Sequence, residues 1–382
     1  MTLWFSASAA IPNLLAHGTI AGQQVALLTG AVQLGFVAGT LTSAFFGLPD
    51  RLDSRFIFAA SAVLGGVANI CLLASGFNSA WTVLLRFITG VCMAGVYPIG
   101  MKLAAGWAGN RLGLMIGALV GALTLGSALP NLFSAFQPLD WRVTVIASSV
   151  CGFAAAAVIG FMTLGPKHQT SSRFTPADAL RLLRRPSIQL VNLGYLGHMW
   201  ELYAMWAWIG PFIDWAERQT GGAAQPRSTA LTTFVVIAAG ALGSLVAGVM
   251  ADRVGRTAVT IVAMVVSGLC AATIGLWTGA GMNYVILVAL VWGIAVIADS
   301  AQFSAAIVEL SDPPLVGTML TIQTCLGFLL TFVAIQLMPI VVSTVGWHYA
   351  FMFLAIGPAF GVLAMYRLRS ESDVVRLAGG RK

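Results

Sequence analysis

Four ionisable side chains fall well inside the long apolar runs of this sequence: Arg86, His198, Glu201 and Asp299. A charge at the centre of a hydrocarbon layer costs at least about 2.5–3.5 kcal/mol, so such residues normally face a cavity or a partner. A carboxylate that is neutral in one state and charged or paired in another is the chemistry that proton coupling needs, and Glu201 and Asp299 are the candidates. Either acid could instead hold a substrate cation. The static alternative is an ion pair between Asp299 and Arg86. Arg86 opens LRFITGVCMAGVYPIGMK (85–102) about one turn from the outer end of its run, which equally allows its long side chain to snorkel outwards.

GHMWELYAMWAW (197–208) carries two of these groups. On a helix, His198, Glu201, Met205 and Trp208 share one face, while Tyr203 and Trp206 point nearly the other way. Trp208 lies about 10 Å further along than Glu201, and with Trp215 it suits an interfacial aromatic belt. In the run of Arg86, Tyr97 and Pro98 predict a kink with a hydroxyl near its centre. Tyr97, Gln33, Gln302 and Gln323 are candidate solute contacts, and Asn131 is a further one. The uncharged amides serve equally well as glue between helices, a role worth about 0.6 kcal/mol on average.

Other chemistries find no support. The five cysteines lie in apolar runs without a CxxC pair, so neither a disulfide framework nor a metal site is expected. There is no GxxxxGK[ST] phosphate loop, no catalytic triad and no metal-ligand spacing. The expectation is a protein that is no enzyme and needs no cofactor.

The elements that must position these residues follow from composition. Of the 382 residues, 58% are hydrophobic and 9% charged, whereas soluble domains carry roughly 25% charged residues. Twelve apolar runs suit spanning helices: roughly 1–16, 23–48, 56–75, 81–105, 113–136, 142–164, 188–214, 229–251, 258–279, 283–309, 316–342 and 347–368. A barrel would show alternating segments of about 10 residues instead. The first run is short, at about 24 Å, and the expectation is a true start upstream of Met1.

The net charge of +7 does not point to nucleic acid, because the basic residues lie in short loops between runs. Sixteen Lys and Arg fall on one side, including Lys102 and the C-terminal tail, against Arg142, Arg218 and Arg227 on the other. That bias predicts cytoplasmic termini.

The segment 166–187 divides the chain. The expected organisation is a six-helix bundle over 1–164, a cytoplasmic linker over 165–187, a second bundle over 188–368, and a tail over 369–382. Within the linker, TPADALRLLRR reads either as a capped amphipathic helix on the membrane surface or as a solvated basic linker. GLPDRLDSR (47–55) and GVMADRVGR (248–256) echo each other, with Asp50-Arg51 and Asp252-Arg253 separated by 252 − 50 = 202 residues. Half a chain length is what an internal duplication requires.

With these features the sequence resembles the major facilitator superfamily. Gly248-x-x-x-Asp252-Arg253-x-Gly255-Arg256 follows that family's loop signature closely; the first copy is imperfect, with Gly47 three residues before Asp50 and an extra residue before Arg55. The resemblance implies two pseudo-symmetric six-helix bundles rocking about a central cavity. It also implies a conformational latch from Asp50, Arg51, Arg55, Asp252, Arg253 and Arg256. Glu309 is a candidate member of the second half-latch and Lys102 of the first; the bland reading is that these charges only set topology.

Drug–proton antiporters of this family usually carry a glycine-proline-glycine-glycine cluster on the fifth helix, and GALVGALTLGSALPNLF (117–133) lacks it. The function expected is therefore proton-coupled secondary transport of a small organic solute across the inner membrane. Uptake is favoured over export, and the chain is expected to be a monomer with the bilayer, the solute and protons as partners. An acid-rich cavity suits a neutral or cationic ligand better than a small inorganic anion. The rivals are a drug or metabolite exporter and a transporter-like sensor that no longer cycles.

Overall fold

The computed structural model describes residues 1–7, 9, 22–46, 48, 52–75, 79–107, 112–136, 140–165, 181–221, 226–312 and 315–381. Every regular element among them is helical. The first half holds α1 (2–7), α2 (Gly22–Phe46), α3 (Ser54–Ile70), α4 in two segments (Ala80–Ala94 and Tyr97–Trp107), α5 (Leu112–Phe136) and α6 (Trp141–Ile159). The second holds α7 (Pro186–Gln219), α8 (Pro226–Val254), α9 (Arg256–Thr273) and α10 in two segments (Met282–Ala298 and Ser300–Leu310). It ends with α11 (Val316–Val345) and α12, also in two segments (Trp347–Ala350 and Met352–Leu368). All twelve expected runs are thus mainly helical in their described parts, which is the all-helical membrane architecture expected.

Local chemistry sets the helix starts. Asp53, Ser79 and Asp140 each place a side-chain oxygen on a backbone N–H of the first turn of α3, α4 and α6, satisfying donors that a helix start leaves orphaned. Pro186 opens α7 where a missing N–H costs nothing.

Among the described residues, nine helices are long and apolar enough to cross a membrane. The helix α2 contributes a shorter apolar stretch, Leu27–Ser43. The nine do not include α7, whose 34 residues carry Gln189, Asn192, His198, Glu201, Asp214, Glu217 and Arg218. It runs five residues past its expected end at 214 because Arg218 pairs with Asp214 at 3.0 Å and Glu217 accepts from Thr229 at 2.9 Å.

The two halves repeat each other in packing as well as in sequence. In α2 and α4, Gly35 lies against the backbone of Phe87 and Gly90 against that of Val32. In α8 and α10, Gly243 lies against Ile294 and Gly293 against Val236 in the same way. Lipid gives helices no hydrophobic reason to associate, so close backbone approach at small residues supplies the contact. The fourth helix of each half is also broken, α4 at Gly95–Val96 and α10 at Asp299. For α4 the cause is Pro98, which has no N–H for the carbonyl of Ala94, so the expected kink is present one turn ahead of it.

Among the described residues, the halves meet most extensively along two helix pairs. Gly113 and Gly117 of α5 face Gly248 and Ser244 of α8, and Ser244 donates to the carbonyl of Gly117 at 3.1 Å. On the other side, Gly30 of α2 meets Phe332 and Gln336 of α11. The tail then folds back in a 3-10 turn, Ser372–Gly379, burying Val374 and Leu377. The expected linker helix lies almost wholly outside the described residues; Arg181–Leu183 are helical.

Candidate functional site

His198 and Glu201 sit one turn apart on α7, both 1% exposed. Their face is turned into their own half. His198 Nδ1 lies 2.8 Å from Asp299 Oδ1, at the break in α10. Glu201 accepts from Trp292 Nε1 of α10 at 2.6 Å and from Ser267 Oγ of α9 at 2.9 Å. The expectation of a solvated, cavity-facing Glu201 is therefore replaced by a carboxyl group satisfied by two protein donors. This satisfaction is what makes a buried acid tolerable here. It also removes the argument for a cationic ligand, since neither acid is turned toward the other half.

Arg86 neither snorkels nor reaches Asp299. It is fully buried, and its guanidinium donates to the carbonyl of Leu3 at 2.9 Å, to the carbonyl of Trp4 and to Ser6 Oγ at 3.4 Å. Ser6 in turn donates to Asn69 at 2.6 Å, and Asn69 donates to the carbonyl of Val145 and to Ser149. The first half thus holds a cation whose partners are carbonyls and hydroxyls. Planar, multi-donor geometry suits Arg to this task.

The opposite face of α7 meets the first half. Tyr203 and Trp206 join Trp4 and Phe5 of α1, Phe36 of α2 and Phe328 of α11 in one buried cluster. Ring centroids are 4.4 Å apart for Phe36–Phe328, 5.0 Å for Trp4–Phe328, 4.9 Å for Tyr203–Phe328 and 5.7 Å for Phe5–Trp206. Trp4 Nε1, Trp206 Nε1 and both amide atoms of Gln33 are buried and have no hydrogen-bond partner among the described residues. Gln33 lies between Gly30 and Phe36 around α2, and both of those neighbours meet α11.

The remaining uncharged candidates scatter. Gln323 donates to Asn192 of α7 at 3.2 Å, joining α7 to α11. Gln302 accepts from Arg256 at 2.8 Å. Tyr97, at the start of the second segment of α4, is half-buried against the core. Asn131 is half-buried on α5.

At the arginine-rich end, Arg256 makes a bidentate pair with Glu309, Nε–Oε2 at 2.7 Å and Nη2–Oε1 at 2.6 Å. It also reaches Asp252 at 3.4 Å. The Asp252 carboxylate lies against Gly113, at the start of α5 in the other half, where unpaired N–H groups favour negative charge. Arg253 is exposed. In the first half Arg55 pairs with Asp53 at 2.7 Å and donates to the carbonyl of Met162, while Lys102 is half-buried. Asp50 and Arg51 lie outside the described residues.

Several partners could not be singled out from sequence. Trp292 and Ser267 look like ordinary membrane-helix residues, and the aromatic cluster draws rings from four helices. The tail supplies Ala378 N–H to Glu309 at 3.0 Å and Arg381 to the carbonyl of Asp252 at 2.5 Å; its Val374 and Leu377, three apart among charged residues, were the available signal.

Comparison with known proteins gives three findings. The family model of the Major Facilitator Superfamily matches residues 1–216 and 199–382. Among curated proteins, a gallate transporter of Pseudomonas putida is 27% identical over 140 residues, 32% of this chain and 31% of that protein. Organic cation/carnitine transporter 7 of Arabidopsis thaliana is 25% identical over 213 residues, 56% of this chain and 41% of that protein. The chain thus spans less than half the length of these two relatives. Among solved structures, the proton:xylose symporter XylE bound to 6-bromo-6-deoxy-D-glucose superposes with a TM-score of 0.72 at 13% identity, covering 96% of this chain and 93% of that one. That likeness is one of fold.

Proposed function

The chain belongs to the major facilitator superfamily, and from that premise we propose that it takes up a small organic solute across the inner membrane, driven by protons. The observation that carries the coupling is the buried pair of His198 and Asp299, 2.8 Å apart at the break of α10. An ionisable pair away from water is stable only while its charges and protons balance, so a change in protonation must move its partner or its helix. The second segment of α10, Ser300–Leu310, has Asp299 at its start and Glu309 near its end. A proton exchanged at Asp299 therefore acts on the same short helix that holds Arg256 of the latch. Glu201, one turn from His198, is the second candidate for proton exchange.

The latch supports alternating access. Asp252 sits on α8 against the start of α5, so the contact between halves must open when that end of the bundle opens. The relatives are named for gallate and for organic cations and carnitine, all small organic solutes, in keeping with the solute class proposed. The two names differ in charge and leave that choice to the site.

The test is transport by purified protein in proteoliposomes. An inward proton gradient should drive accumulation of the solute, and collapse of the gradient with a protonophore should abolish it. Accumulation that is indifferent to the gradient would count against proton coupling.

A further inference from the structure

Building on the transport reading, we infer that the solute is a planar aromatic acid whose ring enters the aromatic cluster between the halves. The cluster draws Trp4, Phe5 and Phe36 from one half and Tyr203, Trp206 and Phe328 from the other, all buried. When the halves part, these rings must separate and expose flat apolar faces, which a planar ring covers best by stacking or edge contact.

The polar atoms at the cluster specify what the ring carries. Trp4 Nε1, Trp206 Nε1 and Gln33 Nε2 are three donors without a partner among the described residues, against one such acceptor, Gln33 Oε1. Closing the halves on these donors leaves them unsatisfied, a cost that a solute bearing acceptor oxygens removes. Closure is then favoured by the loaded carrier over the empty one.

The charge follows from what lies around the rings. Glu201 is held by Trp292 and Ser267, and Asp299 lies beside His198, all on the far face of α7. Arg86 stands behind Trp4, whose carbonyl it binds, and its partners are carbonyls and a hydroxyl. The nearby fixed charge is positive, and it favours a carboxylate over an ammonium group.

The experiment measures binding to the purified protein in nanodiscs by isothermal titration. The probes are a panel of benzoates and cinnamates including 4-hydroxybenzoate, with cyclohexanecarboxylate as the non-aromatic acid and benzyltrimethylammonium as the aromatic cation. At least one aromatic acid should bind about tenfold or more tightly than both comparators. Trp206→Phe, which keeps an aromatic ring but removes the N–H, and Gln33→Leu should each weaken it by about tenfold. Size-exclusion profiles of both variants report on folding, and if one variant fails that control the other carries the test.

Equal or tighter binding of the cation or of cyclohexanecarboxylate overturns the inference, as does failure of every aromatic acid to bind. Counterflow with a metabolite mixture separates the two claims. Flux of another solute without aromatic-acid binding sinks this inference and leaves transport standing. Aromatic-acid binding without flux of any solute keeps the site and sinks transport.

Discussion

His198 and Asp299 face each other across 2.8 Å, and Glu201, one turn along α7 from His198, has a separate pair of donors. Helix α7 therefore presents two ionisable sites with separate partners to its own half, and its opposite face closes on the other half through Tyr203 and Trp206. The division of labour proposed for α7, protons on one side and solute on the other, generates distinct expectations for each face.

Truncating one member of the His198–Asp299 pair leaves the other buried and unpaired. His198→Leu and Asp299→Leu should each destabilise the protein by about 3–5 kcal/mol, and the double variant should cost less than the sum. Unfolding in detergent across the double-mutant cycle checks this. Additive losses would mean that the two groups do not interact.

Glu201 answers two donors, and its variants should separate by what they leave behind. Glu201→Gln retains a carbonyl oxygen for Trp292 and should change the melting temperature little. Glu201→Leu strands Trp292 Nε1, at about 1–3 kcal/mol for a buried donor, while Ser267 keeps the carbonyl of Met264 as acceptor. Thermal melts of the two variants, with indole fluorescence as the readout for Trp292, distinguish them.

Arg256 serves Glu309 through two parallel bonds and also reaches Gln302 and Asp252. A lysine cannot reproduce that fork, so Arg256→Lys should behave nearly as badly as Arg256→Ala. The expected result is a shift toward opening at the arginine-rich end. Spin labels at the ends of α5 and α8 should report longer separations in both variants than in the parent protein.

The paired glycines that join the second and fourth helices of each half should tolerate no side chain. Gly90→Leu and Gly293→Leu place a side chain on the backbones of Val32 and Val236. Both should lower the yield of folded protein. Gly279→Ala, where nothing stands within 4 Å, should not.

Much of the architecture is legible in the sequence because a bilayer imposes it. An apolar run of about 20 residues has few options but to be a helix, and α12 ends where expected. The loop signature singles out Asp252 and Arg256, which lie 3.4 Å apart one turn along the chain, whereas Glu309 joins Arg256 from 53 residues away. What a single sequence does not yield is the direction in which a buried group faces. Helical periodicity placed His198 with Glu201 and set Tyr203 with Trp206 opposite, yet gave no means of telling which face meets the other half. An acid in lipid needs water or a partner, and the sequence leaves open which of the two Glu201 has. Trp292, which supplies that partner, reads in sequence like any other membrane tryptophan. The place of Arg86 is hidden for a similar reason, since its main acceptors are backbone carbonyls of α1 that leave no mark in residue identity.

The coupling claim rests most directly on Asp299. Purified parent protein and Asp299→Asn should be compared in proteoliposomes for accumulation under an inward proton gradient and for solute exchange without one. Asparagine keeps the size and an acceptor for His198 but cannot give up a proton. The account predicts that Asp299→Asn loses accumulation and retains exchange. Accumulation at the parent level would contradict it.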